Sequence, residues 1–222
     1  MLKIGVLVSG GGSNLQAIID KIESGYIRNV EIATVVSSKP GVFALERAKK
    51  YRIGGTCISR KFFNNIDEYD EALISHFVEH KVELVVMAGF LSILGERFNK
   101  YYTNRVINIH PSLIPAFCGK GFYGIIPHRH VLESGVKITG ATVHFVELEA
   151  DTGPIILQKA VYVEEGDTPE ILQKRVMEQA EWEILPEAIK LFAENRLVIE
   201  GKKVLIKKTA PVLSAASKKY SI

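Results

Sequence analysis

The chain is sparing in features that would mark a specialised class. Two cysteines, Cys57 and Cys118, in 222 residues are too few for a disulfide framework. No apolar run approaches the roughly 18–20 residues needed to cross a bilayer. The start, Met1-Leu2-Lys3-Ile4-Gly5, enters a strand pattern directly and lacks the basic segment, apolar core and cleavage site of a secretory signal. A cytoplasmic protein without membrane contact is expected. Neither sign of charge dominates: the net charge of +3 falls short of the concentrated basic stripe that nucleic acid requires, while allowing anionic small substrates. Lys202, Lys203, Lys207, Lys208, Lys218 and Lys219 supply much of the excess, with solubility as their expected role. There is no internal repeat, low-complexity tract or clear linker, and nothing bears on oligomeric state, so a homodimer is left open.

What is present fits one large domain, or one domain with small additions. A hydrophobic content of 47% allows a substantial core. The first half alternates strand and helix: strands at 2–9, 30–37, 55–59, 82–88 and 105–109, helices at 15–22, 42–51 and 66–80. The last helix carries Ile66, Tyr69, Leu73, Ile74, Phe77 and Val78 on one face. Repeated βα units predict a Rossmann-like α/β fold, a mostly parallel sheet with helices on both faces. The second half changes character. A loop with glycines and aromatics at 120–127 precedes a short helix at 129–132. Two strand runs, 138–148 and 154–163, flank a hairpin loop, and one long helix covers 168–192, with Thr168 as N-cap and Pro169 in its first turn. Short strands are expected at 197–200 and 203–206, then a loosely held tail from about 209.

Asn108-Ile109-His110-Pro111-Ser112-Leu113-Ile114-Pro115 carries the most chemistry. It continues an apolar strand, in which residues two apart share a face, so Asn108 and His110 are expected to project into one pocket. Pro111 disfavours helix at His110. An amide donor beside an imidazole suits polarising a carbonyl and moving a proton. Asp151, on the loop before Thr152-Gly153-Pro154, reads alone as a turn residue; near His110 it would favour the imidazolium and raise the His pKa. His144 reads as a half-buried strand histidine with a supporting role, Cys118 as a small buried residue, and Trp182 as packing on the long helix.

Ser9-Gly10-Gly11-Gly12-Ser13-Asn14 links the first strand to the first helix. Backbone N–H groups and the helix dipole favour an anion there; the alternative is a tight βα turn with Ser13 or Asn14 as helix cap. Leu15 stands where a dinucleotide fingerprint needs its third glycine, and Ser37-Ser38-Lys39-Pro40 offers no acid for a ribose. Gly-Lys-Ser/Thr of a triphosphate loop is absent. A monophosphate on a small substrate fits better. His76-Phe77-Val78-Glu79-His80 matches the H-x-x-E-H zinc-protease pattern, but no third ligand is evident and a solvated helix face is expected, with no metal assigned.

Four blocks together carry a resemblance. They are Ser9 to Ile18; Ala88-Gly89-Phe90-Leu91-Ser92-Ile93-Leu94; the Asn108 block; and Val143-His144-Phe145-Val146 with Asp151-Thr152-Gly153-Pro154-Ile155-Ile156. In order and spacing the chain resembles the phosphoribosylglycinamide formyltransferase family of folate-dependent formyltransferases, from residue 1 to about 208. The resemblance implies a single domain, with a nucleotide-binding half (1–110) and a folate-cleft half (111–208) that adds a β-hairpin and a long helix, followed by a tail (209–222). It implies formyl transfer from 10-formyltetrahydrofolate, as co-substrate and without metal, to the amine of glycinamide ribonucleotide in purine synthesis. By motif position, Gly11, Gly12, Ser13, Asn14 and Glu181 hold the ribonucleotide. Leu91, Ser92, Ile93, Leu94, Asn108, Glu147 and Asp151 form the folate site, with the 147–151 loop closing it. Asn108, His110 and Asp151 are the implied catalytic trio, Asp151 keeping His110 protonated.

The chain departs from the family pattern in places. Trp182 stands where the family often has His. Ser92 stands where it often has a basic residue, and another is missing near Ile66; Arg60 or Lys61 are the candidate replacements. The loop 117–127 is longer than in some relatives. Formyl-folate deformylases and methionyl-tRNA formyltransferases share the trio but typically lack the glycine turn, which is the expected discriminator. A silent folate or nucleotide sensor and, more remotely, a zinc peptidase are the alternatives from other classes.

Overall fold

The computed structural model describes residues 1–208; the expectation of a loosely held tail falls outside them. The elements are β1 (Leu2–Val8), α1 (Ser13–Glu23), β2 (Val30–Ser37), α2 (Phe43–Lys50), β3 (Gly55–Cys57), α3 (Ile66–Glu79), β4 (Leu84–Met87), α4 (Glu96–Tyr101), β5 (Val106–His110), α5 (Ile126–Glu133), β6 (Ile138–Phe145), β7 (Ile155–Tyr162), α6 (Pro169–Val176), α7 (Trp182–Ala193), β8 (Leu197–Glu200) and β9 (Lys203–Ile206). They build one nine-stranded sheet in the order β3-β2-β1-β4-β5-β6-β7-β9-β8. From β3 to β5 all neighbours are parallel. β6 turns antiparallel to β5 and forms a hairpin with β7.

The apolar runs of β1, β4 and β5 follow from this topology, because both faces of the sheet are covered. Along β1, Ile4, Val6 and Val8 pack on one side with Leu15 and Ile18 of α1 and Leu185 and Ile189 of α7. Leu7 packs on the other with Tyr69, Leu73 and Phe77 of α3 and Phe98 of α4. No helix among the described residues is long and apolar enough to cross a membrane.

Three differences from the sequence reading have physical causes. First, α4 was not expected, since six residues are too few to show a period. Its start is fixed from elsewhere: the fully buried Asp70 of α3 accepts the N–H of Gly95 and of Phe98, each at 2.9 Å, satisfying donors that a helix start leaves unpaired. Second, Val78 is 48% exposed, and Asp70 takes the buried place instead. Third, the long helix is interrupted. α6 ends at Val176, a π-helical turn occupies Met177–Glu181, and α7 begins at Trp182. The Trp182 N–H bonds back to the Met177 carbonyl, five residues away. Pro186 inside α7 removes a helical N–H and crowds the preceding turn, and the widened turn lies just ahead of it.

Candidate active site

In a parallel sheet, ligands bind beyond the carboxyl ends of the strands. Here that edge opens into a cleft of about 740 Å³ that runs from the glycine turn, past the end of β5, to the segment after β4. Every residue the sequence assigned to substrate, folate or catalysis lines it: Gly11, Gly12, Ser13, Asn14, Leu91, Ser92, Ile93, Leu94, Asn108, His110, His144, Glu147, Asp151 and Glu181.

At the centre, β5 presents Asn108 and His110 on one face, as its two-residue period requires. Asn108 Nδ2 lies 3.2 Å from His144 Nε2, its directly paired neighbour on β6. His144 Nδ1 donates to the Phe145 carbonyl at 2.8 Å, so Nε2 faces the cleft side. Asp151 sits between the two histidines, with Oδ2 at 3.4 Å from His110 Nδ1 and Oδ1 at 3.4 Å from His144 Nε2. It also accepts the Gly119 N–H at 2.8 Å. Asp151 holds φ +59°, a left-handed conformation that Asp tolerates better than most residues. The turn closes because a Cβ at Gly153 would lie 1.8 Å from the Phe145 carbonyl oxygen, so only glycine fits. Beyond β5 the chain is pinned to β6: Thr142 Oγ1 donates to the Ser112 carbonyl (2.7 Å) and accepts the Ile114 N–H (3.1 Å).

Electrostatics correct one expectation. Asp151 raises the His110 pKa, but burial lowers it more, and the net direction is down. The open cleft therefore favours the neutral imidazole. Both ring nitrogens nonetheless face acceptors, Nε2 the Phe117 carbonyl at 3.0 Å and Nδ1 the Asp151 carboxylate, so a second proton has a place ready. Burial pushes the Asp151 carboxyl up, but its contacts with His144 and His110 and the Gly119 N–H outweigh it, and the net direction is down. Cys118 is raised by burial and by Asp151, the opposite of an activated thiolate.

At one end of the cleft, Gly12 is the N-cap of α1, at φ +72°, with no side-chain cap. The reading of Ser13 or Asn14 as cap is thereby corrected. Gly12 is required for a further reason: its Cβ would lie 2.7 Å from Ala44 Cβ on α2. A Cβ at Gly10 or Gly11 would meet nothing within 4 Å among the described residues, which leaves the backbone open to a ligand. Arg47 of α2, which the sequence did not single out, donates from Nε to the Gly11 carbonyl at 2.8 Å and from Nη1 to Gln16 Oε1 at 3.0 Å. The π-helical turn brings Glu181 against this end, where Asn14 Nδ2 donates to its Oε2 at 2.6 Å. Burial pushes the Glu181 carboxyl up to about 7, with Asn14 pulling it back. Among the described residues, Asn14 Oδ1 is buried without a partner.

At the other end, the Leu91 N–H donates to Ser9 Oγ at 2.9 Å, which ties the 91–94 segment to the residue that follows β1. Leu91 and Ile93 are exposed to the cleft while Leu94 is buried. The 147–151 loop forms another wall of the cleft. Lys202, read as a solubility lysine, reaches it from the β8–β9 turn and donates to Glu147 Oε2 at 2.7 Å and to the Thr152 carbonyl at 3.2 Å. Lys120, Phe122 and Tyr123, from the loop that sequence reading left without a role, also line the cleft. A second cavity of about 710 Å³ shares Leu91 and Ser92 with it and is lined by Lys39, Arg60 and Lys61.

A family profile described as formyl transferase matches residues 2–189. A phosphoribosylglycinamide formyltransferase from Haemophilus influenzae is 41% identical over 197 residues, which is 89% of this chain and 90% of that one. A trifunctional purine biosynthetic protein adenosine-3 from Chironomus tentans is 41% identical over 90% of this chain, although the chain spans only 14% of that protein's length. Among solved structures, glycinamide ribonucleotide transformylase 1 from Symbiobacterium toebii superposes with a TM-score of 0.88 at 43% identity, covering 94% of this chain and 95% of that one. The matched span contains the glycine turn, both walls of the cleft and the Asn108, His110 and Asp151 cluster, and the chain belongs to the formyl transferase family.

Proposed function

We propose that this chain transfers the formyl group of 10-formyltetrahydrofolate to the amine of glycinamide ribonucleotide, as a cytoplasmic enzyme of purine synthesis whose two halves, 1–110 and 111–208, form one catalytic domain. The observation that carries the reading is the single cleft with an anion-ready glycine turn at one end, an apolar slot at the other and Asn108, His110 and Asp151 between them. The phosphate sits on the N–H groups of Gly11, Gly12 and Ser13, where the α1 dipole favours it. Asn14 Oδ1 and Glu181 take the ribose hydroxyls. The pterin lies against Leu91, Ile93 and Leu94, under the 147–151 loop.

The amine nitrogen attacks the formyl carbon, and the carbonyl π pair moves onto the formyl oxygen. One Asn108 N–H is turned to His144; the other is free for that oxygen. His110 starts neutral and becomes favourable as a cation when negative charge grows beside it, with Asp151 facing its Nδ1. A positioned oxyanion donor contributes about 2.7–4 kcal/mol to such a step. Collapse breaks the bond from the formyl carbon to N10. N10 gains one proton and the amine loses one, through His110 or a bridging water. These steps use the chain's own donors.

The second cavity supports a place for the folate tail. Its glutamate carboxylates, leaving the cleft past Leu91 and Ser92, would meet Lys39, Arg60 and Lys61, in place of the basic residues missing at Ser92 and near Ile66. The test mixes chelator-treated protein with 10-formyltetrahydrofolate, with and without the ribonucleotide, and follows folate absorbance. Tetrahydrofolate released only with the ribonucleotide supports the transferase. Release without it supports a deformylase, and no release overturns both.

A further inference from the structure

The H-x-x-E-H segment on α3 is not used by the chemistry above. None of its three polar residues lines the cleft. They lie at the last turn of α3, and in a parallel α/β sheet that end of the helix lies at the edge opposite the carboxyl ends of the strands. We propose that His76, Glu79 and His80 form a surface site for one borderline divalent transition-metal ion, with Zn²⁺ as the reference.

Five observations carry it. One ligand atom of each residue lies within 4.8 Å of the other two; donors on a tetrahedral Zn²⁺ stand about 3.3 Å apart, from bonds of about 2.0–2.1 Å, so side-chain rotation alone closes the gap. His80 Nδ1 lies 2.8 Å from the His76 carbonyl. A carbonyl only accepts, so Nδ1 carries the hydrogen and Nε2 is the bare nitrogen. That backbone bond is the support that metal-binding histidines commonly use. The His76 ring is held at Nε2 by Thr34 Oγ1 of β2, at 2.9 Å, which leaves Nδ1 as its second donor face. The two rings are 4.3 Å apart at 36°. Finally, His80 is the C-cap of α3, where the helix dipole favours a cation. Two imidazoles and a carboxylate make a three-ligand set to which water adds a fourth. The ion would tie the last turn of α3 to itself, and through His76 to β2.

The site is separate from the transferase reading and is tested separately. Chelator-treated protein is titrated with Zn²⁺ by calorimetry and with Co²⁺ by visible absorption. The expected result is one equivalent bound, a higher Tm with Zn²⁺, at least tenfold weaker binding in His80→Ala, and several-fold weaker binding in Glu79→Gln. Formyl transfer by His80→Ala should equal that of the parent. Absence of binding, binding unchanged in His80→Ala and Glu79→Gln, or a Co²⁺ spectrum with the charge-transfer band of a cysteine thiolate would each overturn the proposal. His80 is half-exposed at the helix end, so its variant is expected to fold, and equal transfer activity checks that it has.

Discussion

Glu181 is a buried carboxyl whose ionisation works against the fold, and Glu181→Gln should make this visible. Its pKa rises from the ordinary 4.5 to about 7, chiefly through desolvation. In the unfolded chain the carboxyl titrates near its ordinary value. Between these two values the native state binds more protons than the unfolded state, so stability falls as pH rises. The contribution is fully present below about pH 4.5 and lost above about pH 7. A shift of about 2.5 units at about 1.4 kcal/mol per unit is worth about 3 kcal/mol. Glutamine keeps the shape, keeps an oxygen that accepts from Asn14 Nδ2, and never ionises. Urea or thermal unfolding of both proteins should coincide near pH 4.5. At pH 8.5 the variant should lead by about 3 kcal/mol, or roughly 6–12 °C in Tm for a chain of this size. The same variant should bind the ribonucleotide less well, since glutamine offers one acceptor oxygen where the carboxylate offers two. Unfolding curves that stay parallel across the whole pH range would refute the reasoning, because the destabilisation would then not come from a charge.

Asn108→Ala removes the proposed oxyanion donor and should lower kcat by about 10²–10³-fold, while equilibrium binding of the ribonucleotide stays within about twofold of the parent. Asp151→Asn should fold, because Asn accepts the left-handed backbone that Asp151 holds. Without the carboxylate charge the imidazolium of His110 loses its partner, and NMR titration should show the His110 pKa falling further. Gly12→Ala sets a Cβ against Ala44 on a backbone at φ +72°; urea unfolding should register a loss of about 1–3 kcal/mol, with weakened phosphate-side binding. Asp70→Ala orphans the N–H groups of Gly95 and Phe98 and should cost about 2–5 kcal/mol. Glu71→Ala, which breaks only an exposed pair with Arg97, should cost under about 1 kcal/mol.

How much of the fold could be read depends on where the determining interaction lies in the sequence. The parallel half was legible because each strand is a short apolar run and each long helix an amphipathic one, and those periods are local. The short pair at 197–200 and 203–206 was legible for the same reason and appears as β8 and β9. α4 was not, because its first donors are satisfied by Asp70 from a helix some 25 residues earlier. Asp70 stands in sequence beside Asp67, Glu68 and Glu71, and nothing local distinguishes a carboxylate that caps another helix. The π-helical turn did leave a trace, in Pro186, but a proline near a helix start is also ordinary, so the pattern continued smoothly across the break.

The site shows the same division more sharply. Asn108 and His110 could be placed together because a strand has a period of two, a rule needing no third element. Their pairing with Asp151 came through resemblance rather than derivation, because it depends on a hairpin turn 41 residues beyond His110. That turn closes through contacts of Gly153 with Phe145 and of Asp151 with Gly119, none adjacent in sequence. The direction of the His110 pKa was missed for a related reason. The attraction of Asp151 can be argued from two residues, whereas desolvation sums over every group that removes water from the imidazole. Burial wins in the open cleft, which favours the neutral imidazole there, and in the proposed mechanism His110 gains its proton when charge appears on the substrate. A histidine held as a permanent cation would bind anions indiscriminately. One that becomes cationic only beside a developing oxyanion stabilises the transition state more than the ground state, and only that difference accelerates the chemical step.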